Sequence, residues 1–129
     1  MPASQGDLIL IVDEDIGILE ITKLNLEARD FSVLTAKEGS EALAVYEQRQ
    51  HDIKAVLMDM RMSKMSGLEL MTRLRRINPQ VRVIGISGQE PDDDSARAAR
   101  PHLRALLTKP FTIDSLLAKL RETIHGAEK

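Results

Sequence analysis

Short unbroken runs of apolar residues alternate along the chain with longer segments of helical periodicity. Unbroken runs rich in branched residues are typical of strands that are covered on both faces, as in parallel sheets. The pattern therefore predicts one parallel sheet of five buried strands. The five runs are Leu8–Val12, Ser32–Ala36, Ala55–Met58, Val81–Ile86 and Arg104–Leu107.

The segments between these runs predict helices over residues 16–29, 38–49 and 67–77, and a last helix after Pro110 with Thr112 as its N-cap. A fourth helix is expected to open at the aspartates of the polar stretch 89–94, although its alanines offer little to bury. Strand and helix thus alternate five times, which predicts a doubly wound α/β fold with helices on both faces. The first helix is expected to present a broad apolar stripe made of Ile16, Ile18, Leu19, Ile21, Leu24 and Leu26.

Length and composition fit one compact domain. The chain has 129 residues, 43% of them hydrophobic and 29% charged, so we expect a single domain over 1–129 with its core at about 7–125 and no output domain. A net charge of -2 predicts no direct nucleic-acid partner and no membrane partner. The absence of cysteine excludes disulfides, thiolate zinc sites and a cysteine nucleophile. No secretion signal or membrane-spanning run is visible, which predicts a cytoplasmic location.

Polar residues follow the predicted strands at the points where the strands end. In an open parallel sheet the binding crevice forms at the carboxyl ends of the strands, so these residues are expected to converge. They are Asp13, Glu14 and Asp15 after the first strand, Asp59 after the third, Ser87 after the fourth and Lys109 after the fifth.

The predicted crevice favours phosphoryl transfer. Crowded carboxylates repel one another unless a cation intervenes, and oxygen-only ligands indicate a hard ion, most plausibly Mg²⁺. A free carboxylate on Asp59, the ammonium group of Lys109 and the hydroxyl of Ser87 then suit attack on phosphorus. The predicted product is an acyl phosphate on Asp59.

These residues resemble the receiver domain of bacterial two-component response regulators. The matching motifs are "LILIVDED", "VLMDMRMSKMSG", "VIGISG" and "LLTKPF", in order over nearly the whole chain. The resemblance implies a flavodoxin-like fold with strand order 2-1-3-4-5. It also implies a histidine kinase or phosphotransfer protein as phosphoryl donor, and a downstream protein target or output domain that responds to the phosphorylated state.

The resemblance assigns roles to individual residues. Asp59 matches the phosphoacceptor, and Asp13 and Glu14 match the acidic pair that holds Mg²⁺ together with Asp59. The backbone carbonyl of Arg61 is implied as a further metal ligand.

Ser87 and Lys109 match the switch hydroxyl and the lysine that contacts the phosphoryl group, and the Lys109–Pro110 bond is implied to be cis. Several positions depart from the family pattern, among them Ser63 and Leu106. Ser63 replaces a frequent proline, which predicts a looser loop. Leu106 replaces a frequent aromatic residue, so output through the fourth helix, fifth strand and fifth helix is expected to depend more on backbone movement. Phosphorylation-dependent pairing of two copies through that face stays open.

Several alternatives remain at this point. A pseudo-receiver would have the same fold but act only in protein binding. A haloacid dehalogenase-type phosphatase needs a second aspartate at position 61, where this chain has Arg61. Asp15 is a better helix cap than metal ligand. The methionines of residues 58–65 are interpreted as space-filling rather than as copper ligands. Arg61 and Gln89 flank the site and are expected to tune the phosphoryl lifetime.

Overall fold

The fold is a five-stranded parallel sheet, here described from a computed structural model for residues 6–88 and 94–126. The strand order is β2-β1-β3-β4-β5, and every neighbouring pair is parallel. The predicted flavodoxin-like architecture is therefore confirmed. The strands are β1 (Leu8–Val12), β2 (Ser32–Ala36), β3 (Ile53–Asp59), β4 (Val83–Ser87) and β5 (Ala105–Thr108).

In the described part of the chain, five α-helices connect and follow the strands. The expected opening of the fourth helix lies partly outside the described residues, since that helix is described only from Asp94 and is six residues long. Among the described residues, no helix has the length and apolar character needed to cross a membrane. The helices are α1 (Ile16–Glu27), α2 (Gly39–Arg49), α3 (Gly67–Ile77), α4 (Asp94–Ala99) and α5 (Ile113–Arg121).

Side-chain caps set the start of three helices. The side chain of Asp15 accepts a hydrogen bond from the Ile18 amide at 3.2 Å, which confirms its predicted role as the N-cap of α1. Thr112 caps α5 in the same way, as predicted, and Ser66 caps α3. Because side-chain oxygens satisfy amide groups that the first turn leaves unpaired, these residues fix where each helix leaves the preceding loop.

Strand β4 begins two residues later than the apolar run predicted. The Val81 amide donates to the Asn78 carbonyl at 3.0 Å, and the Gln80 amide donates to the Asn78 side chain at 2.9 Å. These hydrogen bonds hold residues 78–81 in a turn, so Val81 is not available for the sheet. Strand β3 is longer than predicted and has Asp59 as its last residue.

Alternating residues of the central strands pack into two separate cores, as expected for a sheet that is covered on both faces. Leu10 and Val12 of β1 face a core with α2 and α3, whereas Ile9 and Ile11 face a core with α1 and α5. Met58 and Met60 are buried in the first core and Met62 and Met65 pack against it, which confirms the space-filling interpretation of these methionines.

The broad apolar stripe predicted for α1 does not form a single buried face. Only Leu19 and Leu26 of this helix are buried, and they lie seven residues apart on one side. The other apolar side chains cover too wide an arc to reach the sheet, and Ile21 and Leu24 are each 63% exposed. Helix α1 therefore presents an apolar surface to solvent.

Removal of the Tyr46 hydroxyl is expected to destabilise the fold by about 1 to 2 kcal/mol. Tyr46 is 1% exposed, and its hydroxyl accepts a hydrogen bond from the Asn78 side-chain amide at 3.0 Å. In Tyr46→Phe this amide loses its partner in a partly buried position. Urea unfolding of Tyr46→Phe and of the exposed control Thr72→Val checks the prediction. Equal stability of the two variants would contradict it.

Candidate functional site

The carboxyl ends of four adjacent strands bring the predicted site residues to one edge of the sheet. Asp13 follows β1, Asp59 ends β3, Ser87 ends β4 and Lys109 follows β5. Backbone hydrogen bonds continue the sheet at this edge: the Met60 amide donates to the Ile86 carbonyl and the Lys109 amide to the Ser87 carbonyl, each at 2.9 Å. The parallel register thus places residues from distant parts of the sequence side by side.

Asp13 is a buried carboxylate with 4% of its surface exposed. Burial is the largest effect on its pKa, which is raised; the hydrogen bond from the Asp15 amide opposes this shift, and the negative charge of Asp59 adds to it. The positive charge of Lys109 lowers the same pKa. Asp59 and Lys109 are therefore both close enough to Asp13 to act on it electrostatically.

Asp59 stands at the border between the strand and the following loop and is partly buried. One carboxylate oxygen, Oδ1, accepts a hydrogen bond from the Arg61 amide at 2.9 Å. This contact holds the carboxylate at the rim of the sheet, where its negative charge acts on Asp13. Gln89, which is expected to flank the site, lies outside the described residues.

Glu14 is bound to the loop after β3. Both the amide and the hydroxyl of Ser63 donate to its Oε2 atom, each at 2.7 Å. The Ser63 hydroxyl is the largest cause of a lowered Glu14 pKa; the Ser63 and Lys64 amides and the Lys64 charge act in the same direction. The loop is thus tied to Glu14 at Ser63. A proline at this position could donate neither hydrogen bond.

The oxygen donors suit a hard divalent cation. Mg²⁺ is commonly held by one or two carboxylates together with water, and Asp13 and Asp59 supply two carboxylates at the same edge. A cation there would offset the burial and repulsion that raise the pKa of Asp13. As placed among the described residues, no three His, Cys, Asp or Glu side chains form a metal-binding group, and Glu14 is held by Ser63 instead.

Ser87 and Lys109 complete the predicted set. Ser87 is 6% exposed, and Lys109 is partly buried beside the carboxylates. The Lys109–Pro110 peptide bond is cis, as the resemblance implied. The Glu14–Ser63 contact was missed because it joins residues 49 positions apart. The only sequence signal for this contact is Ser63 itself, which has a hydroxyl and an amide proton at a position where the family often has proline.

Residues 9–121 match the family model for the response regulator receiver domain, and the chain belongs to this family. Receiver domains are the phosphorylatable modules of two-component systems, and they generally bind Mg²⁺ at the phosphorylation site. The fold and the placement of the acidic residues agree with this membership.

Similar proteins include transcriptional regulatory proteins. The chain is 30% identical to GlrR of Escherichia coli over 91% of this chain and 26% of the relative, and 31% identical to KdpE of Mycobacterium tuberculosis over 92% of this chain and 51% of the relative. It therefore spans about a quarter to a half of the length of these relatives. A receiver domain structure from Clostridium thermocellum superposes with a TM-score of 0.84 at 30% identity, covering 91% of this chain and 93% of that one.

Proposed function

We propose that this receiver domain takes a phosphoryl group onto Asp59 from the phosphohistidine of a histidine kinase or phosphotransfer protein, and that the phosphorylated form binds its downstream protein target or output domain differently. The observation that supports the proposal is that Asp13, Asp59 and Lys109 lie at the carboxyl ends of neighbouring strands, where the charges of Asp59 and Lys109 both act on Asp13. A carboxylate, a second carboxylate suited to a metal and an ammonium group are the parts that phosphoryl transfer needs.

In the proposed reaction, an Asp59 carboxylate oxygen attacks phosphorus as the phosphorus–nitrogen bond of the phosphohistidine breaks. The electron pair of that bond returns to the imidazole ring. The Lys109 ammonium group balances negative charge on the transferred group, and the Ser87 hydroxyl donates a hydrogen bond to one of its oxygens. Mg²⁺, when bound, adds positive charge for the phosphoryl oxygens. Asp13 would hold this ion with Asp59, and Glu14 would join them after leaving Ser63.

Incubation with Mg²⁺ and phosphoramidate, followed by intact-mass measurement, tests the proposal. One added phosphoryl group that hydroxylamine removes is expected, since hydroxylamine cleaves acyl phosphates and leaves serine phosphates intact. A protein that gains no phosphoryl group from phosphoramidate, acetyl phosphate or a phosphohistidine donor would be a pseudo-receiver that acts only in protein binding. Multiple turnover of small phosphate esters would instead revive the phosphatase alternative.

The apolar surface of α1 supports docking of a protein donor. Ile18 and Ile21 line a cavity of about 370 Å³ together with Phe111 and Lys109, so this surface continues into the site. A phosphohistidine must approach Asp59 on a protein that also contacts its surroundings, and exposed apolar side chains favour such contacts.

Pairing of two copies through α4, β5 and α5 is a second way in which the phosphorylated form could pass on its signal. Light scattering with and without a phosphoryl analogue tests that pairing.

Asp13→Asn is expected to weaken Mg²⁺ binding by about tenfold or more, because the amide removes a charged ligand. The substitution also removes a buried negative charge, so the metal-free fold should not lose stability. Isothermal titration with Mg²⁺ checks the affinity, and a thermal melt without metal checks the fold. Asp114→Asn on α5 is the control for the loss of one negative charge. Equal Mg²⁺ affinities of the wild type and Asp13→Asn would refute the assigned ligand.

A further inference from the structure

A second concave site lies at the edge of the sheet opposite Asp59. This cavity of about 240 Å³ is lined by the first residues of β3, by the chain entering β4 and by Arg104 before β5. Lys54 in its wall lies five positions before Asp59 on β3, a distance of roughly 16 Å along an extended strand. The cavity is thus distinct from the phosphorylation site. We call it the basic cavity after its lining cations, which are Lys54, Arg82, Arg104 and, when protonated, His51.

The charge in the basic cavity is one-sided. None of the described residues that line it is an aspartate or a glutamate. The Nε atom of Arg82 is buried and has no hydrogen-bond partner. A buried guanidinium N–H group without a partner is unfavourable, and an acceptor brought by a ligand would relieve this.

The cations also have an alternative structural role. Helices α2 and α3 end near the basic cavity, where Gln50 and Asn78 lie in its wall, and positive charges are favourable at helix C-termini. That role leaves the buried Nε of Arg82 without a hydrogen-bond acceptor, since this atom donates to none of the carbonyls at these helix ends. The Arg82 charge instead acts on the buried Tyr46 hydroxyl, whose pKa it lowers against the larger opposite effect of burial.

We propose that the basic cavity binds a small phosphate-bearing anion through Arg82, Arg104 and Lys54. Arginine binds phosphate through two parallel N–H groups, and lysine adds a compact positive charge. The volume is below the roughly 300 to 1,000 Å³ of sites for drug-sized ligands, which favours a phosphate, a diphosphate or the phosphate end of an ester. Because the site lies far from Asp59, the proposal does not depend on phosphorylation of this chain.

Nitrogen-15 NMR titration of the full chain with inorganic phosphate, pyrophosphate and adenosine monophosphate tests the proposal and distinguishes the sources of the phosphate group. Saturating shifts are expected at residues 53–56, 81–82 and 104, at an ionic strength held constant with sodium chloride. Arg82→Gln should weaken binding by about tenfold or more. Arg121→Gln, which removes one arginine charge from a different cavity, should bind as the wild type does.

Several outcomes would overturn the proposal. The first two are chemical-shift changes that chloride alone reproduces and changes confined to the rim near Asp59. The third is an equal loss of phosphate affinity in Arg82→Gln and Arg121→Gln. The fourth is binding of an acidic peptide without binding of any of the phosphate compounds. If the spectrum of Arg82→Gln is no longer dispersed, the variant is unfolded and Arg104→Gln is used instead, because Arg104 is exposed. An unchanged phosphate affinity in Arg104→Gln would then contradict the assigned site.

Discussion

Asp59→Asn should abolish phosphorylation of this chain by small-molecule donors. An amide cannot form the acyl phosphate that the proposed reaction produces, so the rate should fall by at least about a thousandfold, in keeping with the loss of other enzymatic nucleophiles. The measurement is intact mass after incubation with Mg²⁺ and phosphoramidate. The side-chain oxygen that Asp59→Asn retains can still accept the hydrogen bond that the Arg61 backbone amide donates to Oδ1 in the wild type. The loop after β3 should therefore keep its shape.

Asp15→Asn is the matched control for Asp59→Asn. Asp15 lies two residues after Asp13 but serves as the N-cap of α1, and asparagine caps a helix about as well as aspartate does. This variant should gain the phosphoryl group at close to the wild-type rate. A hydroxylamine-sensitive phosphate on Asp59→Asn would mean that another carboxylate is the acceptor.

The sheet and the edge that carries the site were predictable from sequence because both depend on a short-range pattern. Five apolar runs define five strands, of which the two outer ones, β2 and β5, are only partly buried, and parallel strands end at the same edge. A polar residue directly after each of several runs is therefore near the others even when, like Asp13 and Lys109, the residues are far apart along the chain. The strand order did not follow from periodicity; the family resemblance supplied it, and the structure confirmed it.

Features that depend on tertiary packing were not predictable from local pattern. Ile21 and Leu24 are at helical spacing with buried residues, but they are exposed because the sheet covers only one side of α1. The contact between Glu14 and Ser63 depends on how the loop after β3 folds back, which neither segment encodes alone. The basic cavity likewise joins arginines that precede two different strands. Each of these features arises only when the strands are assembled in their order.

Gly67→Ala is expected to destabilise the fold by about 1 to 3 kcal/mol, the usual effect of overpacking a tight core. A Cβ atom on Gly67 would lie 2.7 Å from the backbone Cα of Met60 and 2.6 Å from its Cε. The side chain of Met60 can move, but its backbone is held, since its amide donates to the Ile86 carbonyl at 2.9 Å. Helix α3 must therefore move away from β3, and urea unfolding should report the loss.

The same displacement should slow phosphorylation, because Met60 directly follows Asp59 and the Gly67 amide donates to the Met60 carbonyl at 3.3 Å. Gly126→Ala is the control, since its added Cβ would meet only the Glu122 side chain at an ordinary 4.0 Å. Gly126→Ala should match the wild type in both measurements. If Gly67→Ala were as stable as Gly126→Ala and gained phosphate equally fast, close contact between α3 and the end of β3 would not be what positions Asp59.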